Sequence, residues 1–130
     1  MKTGLVLEGG AMRGIYTAGV LDVFWEQGIH FDGVIGVSAG ALHGCSFVSG
    51  QKGRSLRYFK KYRNDKHFMS WWSFLHTGEV VGRQFCYHDI PDRLDPFDFD
   101  TYRNNPLPFY VVATDLETGK AVYHLSLIHI

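Results

Sequence analysis

The chain has 130 residues, 45% of them apolar, and its 13 Lys plus Arg balance 13 Asp plus Glu. That length suffices for one domain with a real core, and zero formal charge offers no bulk attraction for nucleic acid, so no nucleic-acid partner is expected. Two cysteines, Cys45 and Cys86, give neither a disulfide framework nor metal-ligand spacing, so no metal or cofactor is expected, and Cys45 reads as a small core residue.

Gly4-Leu5-Val6-Leu7-Glu8 is a short apolar run that predicts a strand over 4–8. It leads straight into Glu8-Gly9-Gly10-Ala11-Met12-Arg13-Gly14, a glycine-rich turn at the mouth of a helix predicted over 15–27. Such a turn presents backbone N–H groups, here those of Gly9, Gly10, Ala11 and Met12, to any negative charge that develops beside it. Arg13 sits next to the turn and reads as a residue that orders it. The helix carries Leu21, Phe24 and Trp25 on an apolar side wide enough to cover a sheet, with Asp22 and Glu26 as a polar pair. Gly28 follows as its C-cap glycine.

Residues 33–37 predict a second strand, which runs into Gly36-Val37-Ser38-Ala39-Gly40 and then a helix of small apolar residues over 39–49. G-x-S-x-G between a strand and a helix is the pattern of a nucleophile elbow. It holds a serine on a sharp turn, with glycines at both ends because a Cβ there would clash. A strand, a glycine-rich turn and a helix also describe a dinucleotide-binding unit. Against that reading, Ala11 replaces the middle glycine, and Asp32 opens the next strand instead of closing it. His43 lies five residues past Ser38 and points along its helix, away from the hydroxyl.

A helix over 53–63 follows, in a basic stretch of Lys52, Arg54, Arg57, Lys60, Lys61, Arg63 and Lys66 interleaved with Tyr58, Phe59 and Tyr62. The plain reading is a solvated helix face; a membrane-surface patch and a nucleic-acid contact are the alternatives. Phe68, Trp71, Trp72, Phe74 and Leu75 form the densest aromatic cluster in the mixed segment 66–88, either as core or as a lipid-facing surface. The acidic stretch 89–106 reads as an irregular loop, because Pro91 and Pro96 interrupt it, and its aspartates stand ready to neutralise the basic stretch. Strands over 108–114 and 120–126 form a hairpin, with Asp115 as a turn former. Alternating strands and helices imply an α/β fold with a mostly parallel sheet, whose sites lie beyond the carboxyl ends of the strands.

The two glycine motifs together resemble those of the patatin-like phospholipase family, whose pattern is D/E-G-G-G-x-R/K-G followed by G-x-S-x-G. Glu8, Gly9, Gly10, Arg13 and Gly14 match the first motif; Gly36, Ser38 and Gly40 match the second. Ala11 replaces one family glycine, a mild departure provided that its φ stays negative. Tyr110 to Gly119 is similar to another recurrent family segment. The resemblance implies a three-layer α/β/α fold, of which residues 1–124 are the N-terminal part. It further implies a serine lipid acyl hydrolase in which Ser38 is the nucleophile of a Ser–Asp dyad. Gly9, Gly10, Ala11 and Met12 would form the oxyanion hole, supported by Arg13, Gly14, Gly36 and Gly40.

The family aspartate sits in a D-G-A/G motif downstream of the serine, and no such motif follows Ser38 here, so no residue of this chain is assigned as the base. Residues 125–130 read as a foreign tail. The expectation is an esterase or phospholipase in the full-length protein, inactive as this portion alone, acting on a lipid or acyl-ester substrate. Neither a signal peptide nor a membrane-length apolar run is apparent, so a cytoplasmic protein able to touch membranes peripherally is expected. The alternative is a non-catalytic lipid- or partner-binding domain on the same fold.

Overall fold

Both glycine-rich turns become β-to-α corners at the same end of one sheet. A computed structural model describes residues 1–125, and the tail expected over 125–130 lies, beyond Leu125, outside the described residues. The chain forms two units, one of Met1–Ser55 with the chain from Asp98 onward, the other Leu56–Phe97.

In the first unit, β1 (Gly4–Leu7), β2 (Gly33–Val37), β3 (Phe109–Thr114) and β4 (Ala121–Leu125) lie side by side in that order. β1 and β2 are parallel with Gly4 opposite Gly33, and β2 and β3 are parallel with Val34 opposite Phe109. β4 returns antiparallel, with Thr114 opposite Ala121. The hairpin between them is held by Asp115, whose carboxylate accepts from the N–H groups of Glu117 and Thr118. The Asp115 N–H donates to the Lys120 carbonyl, so Asp115 is the turn residue expected. These bonds to its carboxylate hold it below the usual aspartate range.

Strand alternation sends Leu7, Val34 and Phe109 to one face, where they are buried. α2 (Ala39–Val48) covers that face. Its small residues let it come close: a Cβ on Gly44 would stand 2.8 Å from the Phe109 ring. α1 (Gly14–Glu26) was expected to cover the sheet but packs on α2 instead, burying Gly14, Ala18 and Leu21. An apolar stripe shows which side of a helix is buried, not what buries it. Trp25 stays half-exposed and donates from its ring N–H to the Phe47 carbonyl at 3.4 Å. Gly28, at φ +63, ends α1 as expected. The α/β architecture and mostly parallel sheet stand as expected. The helical layer of this unit lies on one face of the sheet, and on the opposite face Val6 is 77% exposed.

In this unit the stretch expected to be a loop contains α5 (Phe99–Asn104), started by Asp98, whose carboxylate accepts from the Thr101 N–H at 2.8 Å. Tyr102 anchors α5 edge-on against Phe109.

The second unit gathers the aromatic part of α3 (Arg54–Tyr62), where Tyr58, Phe59 and Tyr62 are buried. Phe68 stacks edge-on with Phe59, and Phe85 with Tyr62. α4 (Trp71–Thr77) follows, and then a wide π-helical segment, Phe85–Leu94, with Pro91 inside it. This corrects the expectation of an irregular loop. Buried Ile90 and the Arg93–Asp89 ion pair one turn apart hold the segment helical. The Phe97 N–H closes back on the Pro91 carbonyl at 2.8 Å. Arg57 makes a two-pronged ion pair with Asp95, at 2.7 and 2.8 Å.

Candidate active site

β2 delivers Ser38 to the position just before α2 at φ 51, ψ −121, a backbone conformation that L-residues rarely adopt. The flanking glycines make this corner possible. A Cβ on Gly36 would stand 2.8 Å from the backbone of Ala41, and one on Gly40 would run into the Leu7 carbonyl and stand 2.6 Å from that of Glu8. Gly40 therefore fixes where α2 starts against the end of β1. The Ser38 side chain is exposed and does not cap α2. Among the described residues its hydroxyl makes no hydrogen bond.

The turn after β1 comes back over this serine. A Cβ on Gly9 would stand 3.2 Å from the Ser38 Cβ and 3.4 Å from the Val37 carbonyl oxygen. Residues Ala11–Arg13 form one 3-10 turn, closed by the Arg13 N–H to the Gly10 carbonyl at 2.9 Å. The N–H groups of Gly9, Gly10, Ala11 and Met12 donate to no acceptor among the described residues. Ala11 has φ 46, which corrects the condition that it stay negative; the family glycine it replaces occupies a position suited to glycine. α1 begins where α2 begins: a Cβ on Gly14 would lie 2.9 Å from the Ala39 Cβ. Two helix N-termini thus meet beside Ser38, and their dipoles favour negative charge there. The Arg13 side chain is exposed and takes part in no ion pair among the described residues.

His43 is 1% exposed and sits between the helices, with Nε2 2.8 Å from where a Gly14 Cβ would be. Burial pushes its imidazole down to about 4. It is a packing residue of the α1–α2 contact, in keeping with the expectation that it does not serve Ser38. Two carboxylates of the first unit are engaged away from Ser38. Asp32 accepts from the Thr3 N–H at 2.6 Å at the far end of the sheet, and Asp22 from the Gly53 N–H at 2.8 Å. Cys45 lies with Sγ 4.0 Å from the Tyr102 hydroxyl, and burial raises its thiol to about 11, which keeps it protonated at neutral pH. No group of His, Cys, Asp and Glu among the described residues is arranged to hold a metal ion.

A profile of the patatin-like phospholipase family matches residues 5–121. The chain belongs to that family. Its members are lipid acyl hydrolases as a class, and the match spans both glycine motifs and β3. The chain is also similar to a protein of Escherichia coli (strain K12) described as uncharacterized protein YjjU. They are 32% identical over 101 residues, which is 77% of this chain and 28% of that protein. The chain thus spans well under a third of that relative's length. No helix among the described residues is long and apolar enough to cross a membrane.

The sequence pointed to Ser38 and to the turn. It did not reveal that α1 and α2 share a starting point, nor that Ala11 takes a positive φ. The missing family glycine at position 11 was the signal for the second.

Proposed function

We propose that this chain carries the nucleophile and the oxyanion-binding loop of a serine lipid acyl hydrolase. The observation that supports the reading is the approach of Gly9 to Ser38, a serine held in a strained corner, at the head of a turn in which the N–H groups of Gly9, Gly10, Ala11 and Met12 donate to no acceptor among the described residues. In the reaction, the Ser38 Oγ attacks the carbonyl carbon of an acyl ester and its proton passes to a carboxylate base. The carbonyl oxygen becomes an oxyanion, held by N–H groups of Gly9 to Met12. As the tetrahedral adduct collapses, the alcohol leaves with the proton from the base, and the acyl group stays on Ser38. Water, deprotonated by the same base, then releases the carboxylic acid and restores the serine.

The base is a downstream aspartate, by the family pattern, and none of the residues of this chain is assigned to it. Arg13, Gly14, Gly36 and Gly40 shape the corner. The substrate class is a lipid acyl ester. A second reading, a non-catalytic lipid- or partner-binding domain, is favoured by the absence of any hydrogen bond to the Ser38 hydroxyl among the described residues. Turnover of a long-chain p-nitrophenyl ester by the complete gene product separates the two. The hydrolase reading expects Ser38→Ala to remove it, and turnover retained by that variant contradicts the reading.

A further inference from the structure

α4 is built inside out. Its one buried position is polar: Ser73 is 2% exposed, and its carbonyl accepts from the Thr77 hydroxyl at 2.8 Å. Its outward positions are apolar: Trp71 is 77% exposed, Leu75 78% and Phe74 43%. The three lie at helical spacings of three and four residues, so they share one face, and Trp71 meets Phe74 edge-on. The helix does not need that face to be buried in order to form. Ser70 caps its start by accepting from the Ser73 N–H at 3.0 Å, and Gly78 ends it at φ +76. Met69 and Val81 bridge beneath it.

A run of cations precedes this helix in the chain. Lys60, Lys61, Arg63 and Lys66 are exposed, and none is ion-paired among the described residues. Of the aspartates expected to neutralise the basic stretch, Asp95 pairs with Arg57 of that stretch and Asp89 pairs with Arg93, while Asp65 is bound to His67. Lys66 reaches over the Trp72 ring of α4, 4.6 Å from its centre, which ties one of these cations to the helix. Exposed Trp and Leu beside uncompensated Lys and Arg match the chemistry of a bilayer with anionic headgroups: the rings enter the interface and the cations meet the phosphates. A protein groove accounts for the apolar face but not for the four uncompensated cations.

We infer that the α4 face of Trp71, Phe74 and Leu75, with Lys60, Lys61, Arg63 and Lys66, docks the protein on an anionic lipid surface. The inference goes beyond the hydrolase reading, because docking is measured as binding and needs no turnover. The test is co-sedimentation of the complete gene product with vesicles of phosphatidylcholine, with or without roughly one-third phosphatidylglycerol. Unaltered protein is expected to pellet with the anionic vesicles and to be released as salt screens the cations. Trp71→Ser with Leu75→Ser is expected to weaken partitioning about tenfold or more, and Lys60→Glu with Lys61→Glu to remove the preference for anionic vesicles.

These side chains are exposed, so circular dichroism is expected to be unchanged in both variants. Quenching of tryptophan fluorescence by brominated lipid provides a second reading on unaltered protein. Absence of binding to anionic vesicles, undiminished binding by the Trp71/Leu75 variant, or absence of quenching overturns the inference. So does a variant that loses only self-association, which would make a second protein chain the occupant. Ser38→Ala is expected to bind as unaltered protein does, so failure of docking and failure of the hydrolase reading are told apart.

Discussion

The Cα of Gly9 faces the Cβ of Ser38 so closely that a methyl group on Gly9 would stand 3.2 Å from it. Nearly the whole site follows from this pair, since it brings the turn after β1 and the corner after β2 together. Gly9→Ala is therefore expected to act on the site more than on the fold. The extra methyl displaces either Ser38 or the N–H groups beside it by a few tenths of an ångström. Removing one oxyanion donor costs on the order of 10²–10³ in rate, and misplacing it is expected to cost at least about tenfold. Ester turnover and thermal unfolding of the variant check this; near-normal turnover contradicts it.

Gly40 behaves differently. A Cβ there meets the backbone carbonyls of Leu7 and Glu8, neither of which has room to move without shifting β1. Gly40→Ala is expected to destabilise the fold by about 3 kcal/mol or more, as overpacking against backbone does. Urea unfolding measures it, and an unchanged midpoint counts against the described approach of α2 to β1.

Ala11 holds φ 46 without being glycine. An L-residue in the left-handed region costs about 1–2 kcal/mol, partly offset by its stiffer unfolded chain. Ala11→Gly is expected to stabilise the protein by up to about 1 kcal/mol with the loop N–H groups kept in place. A loss of stability on that substitution argues against the positive φ.

His43 makes stability depend on pH. Its imidazole is held at about 4 by burial, against an ordinary value of 6.5. Above the ordinary value neither state carries the proton. Below it the unfolded chain binds a proton that the folded chain refuses, so stability falls as pH drops from about 6.5 to about 4. The full loss from this one group is about 3 kcal/mol, at 1.36 kcal/mol for each pKa unit. Urea unfolding across that window is expected to show the slope, and His43→Leu to flatten it.

How far the sequence spoke for the structure varies with the kind of signal. β2 and the Ser38 corner were legible because G-x-S-x-G is a steric statement, and the structure supplies the clashes it implies at Gly36 and Gly40. The Asp115 turn was legible for the same local reason. The segment Phe85–Leu94 was not, because Pro91 and several aspartates read as loop. The forces that hold it helical, Ile90 burial and the Arg93–Asp89 pair, appear only once the chain has folded. α5 was hidden in the same way, although Asp98 with Thr101 three residues on was its capping signal. The aromatic cluster was read as one object, but Phe68 went to the core and Trp71 and Leu75 to the surface. Composition cannot make that division, because it depends on which side of a seven-residue helix finds neighbours. α1 was assigned the wrong partner, and of its expected apolar residues Leu21 is buried while Trp25 stays half-exposed.

The measurement that tests the central claim most directly is labelling of the complete gene product with an alkyl fluorophosphonate, followed by mass spectrometry of its peptides. The account predicts a phosphonyl adduct on Ser38, with fluoride displaced, and loss of acyl-ester turnover in step with labelling. Turnover that persists with Ser38 fully modified, or an adduct confined to another residue, would contradict it.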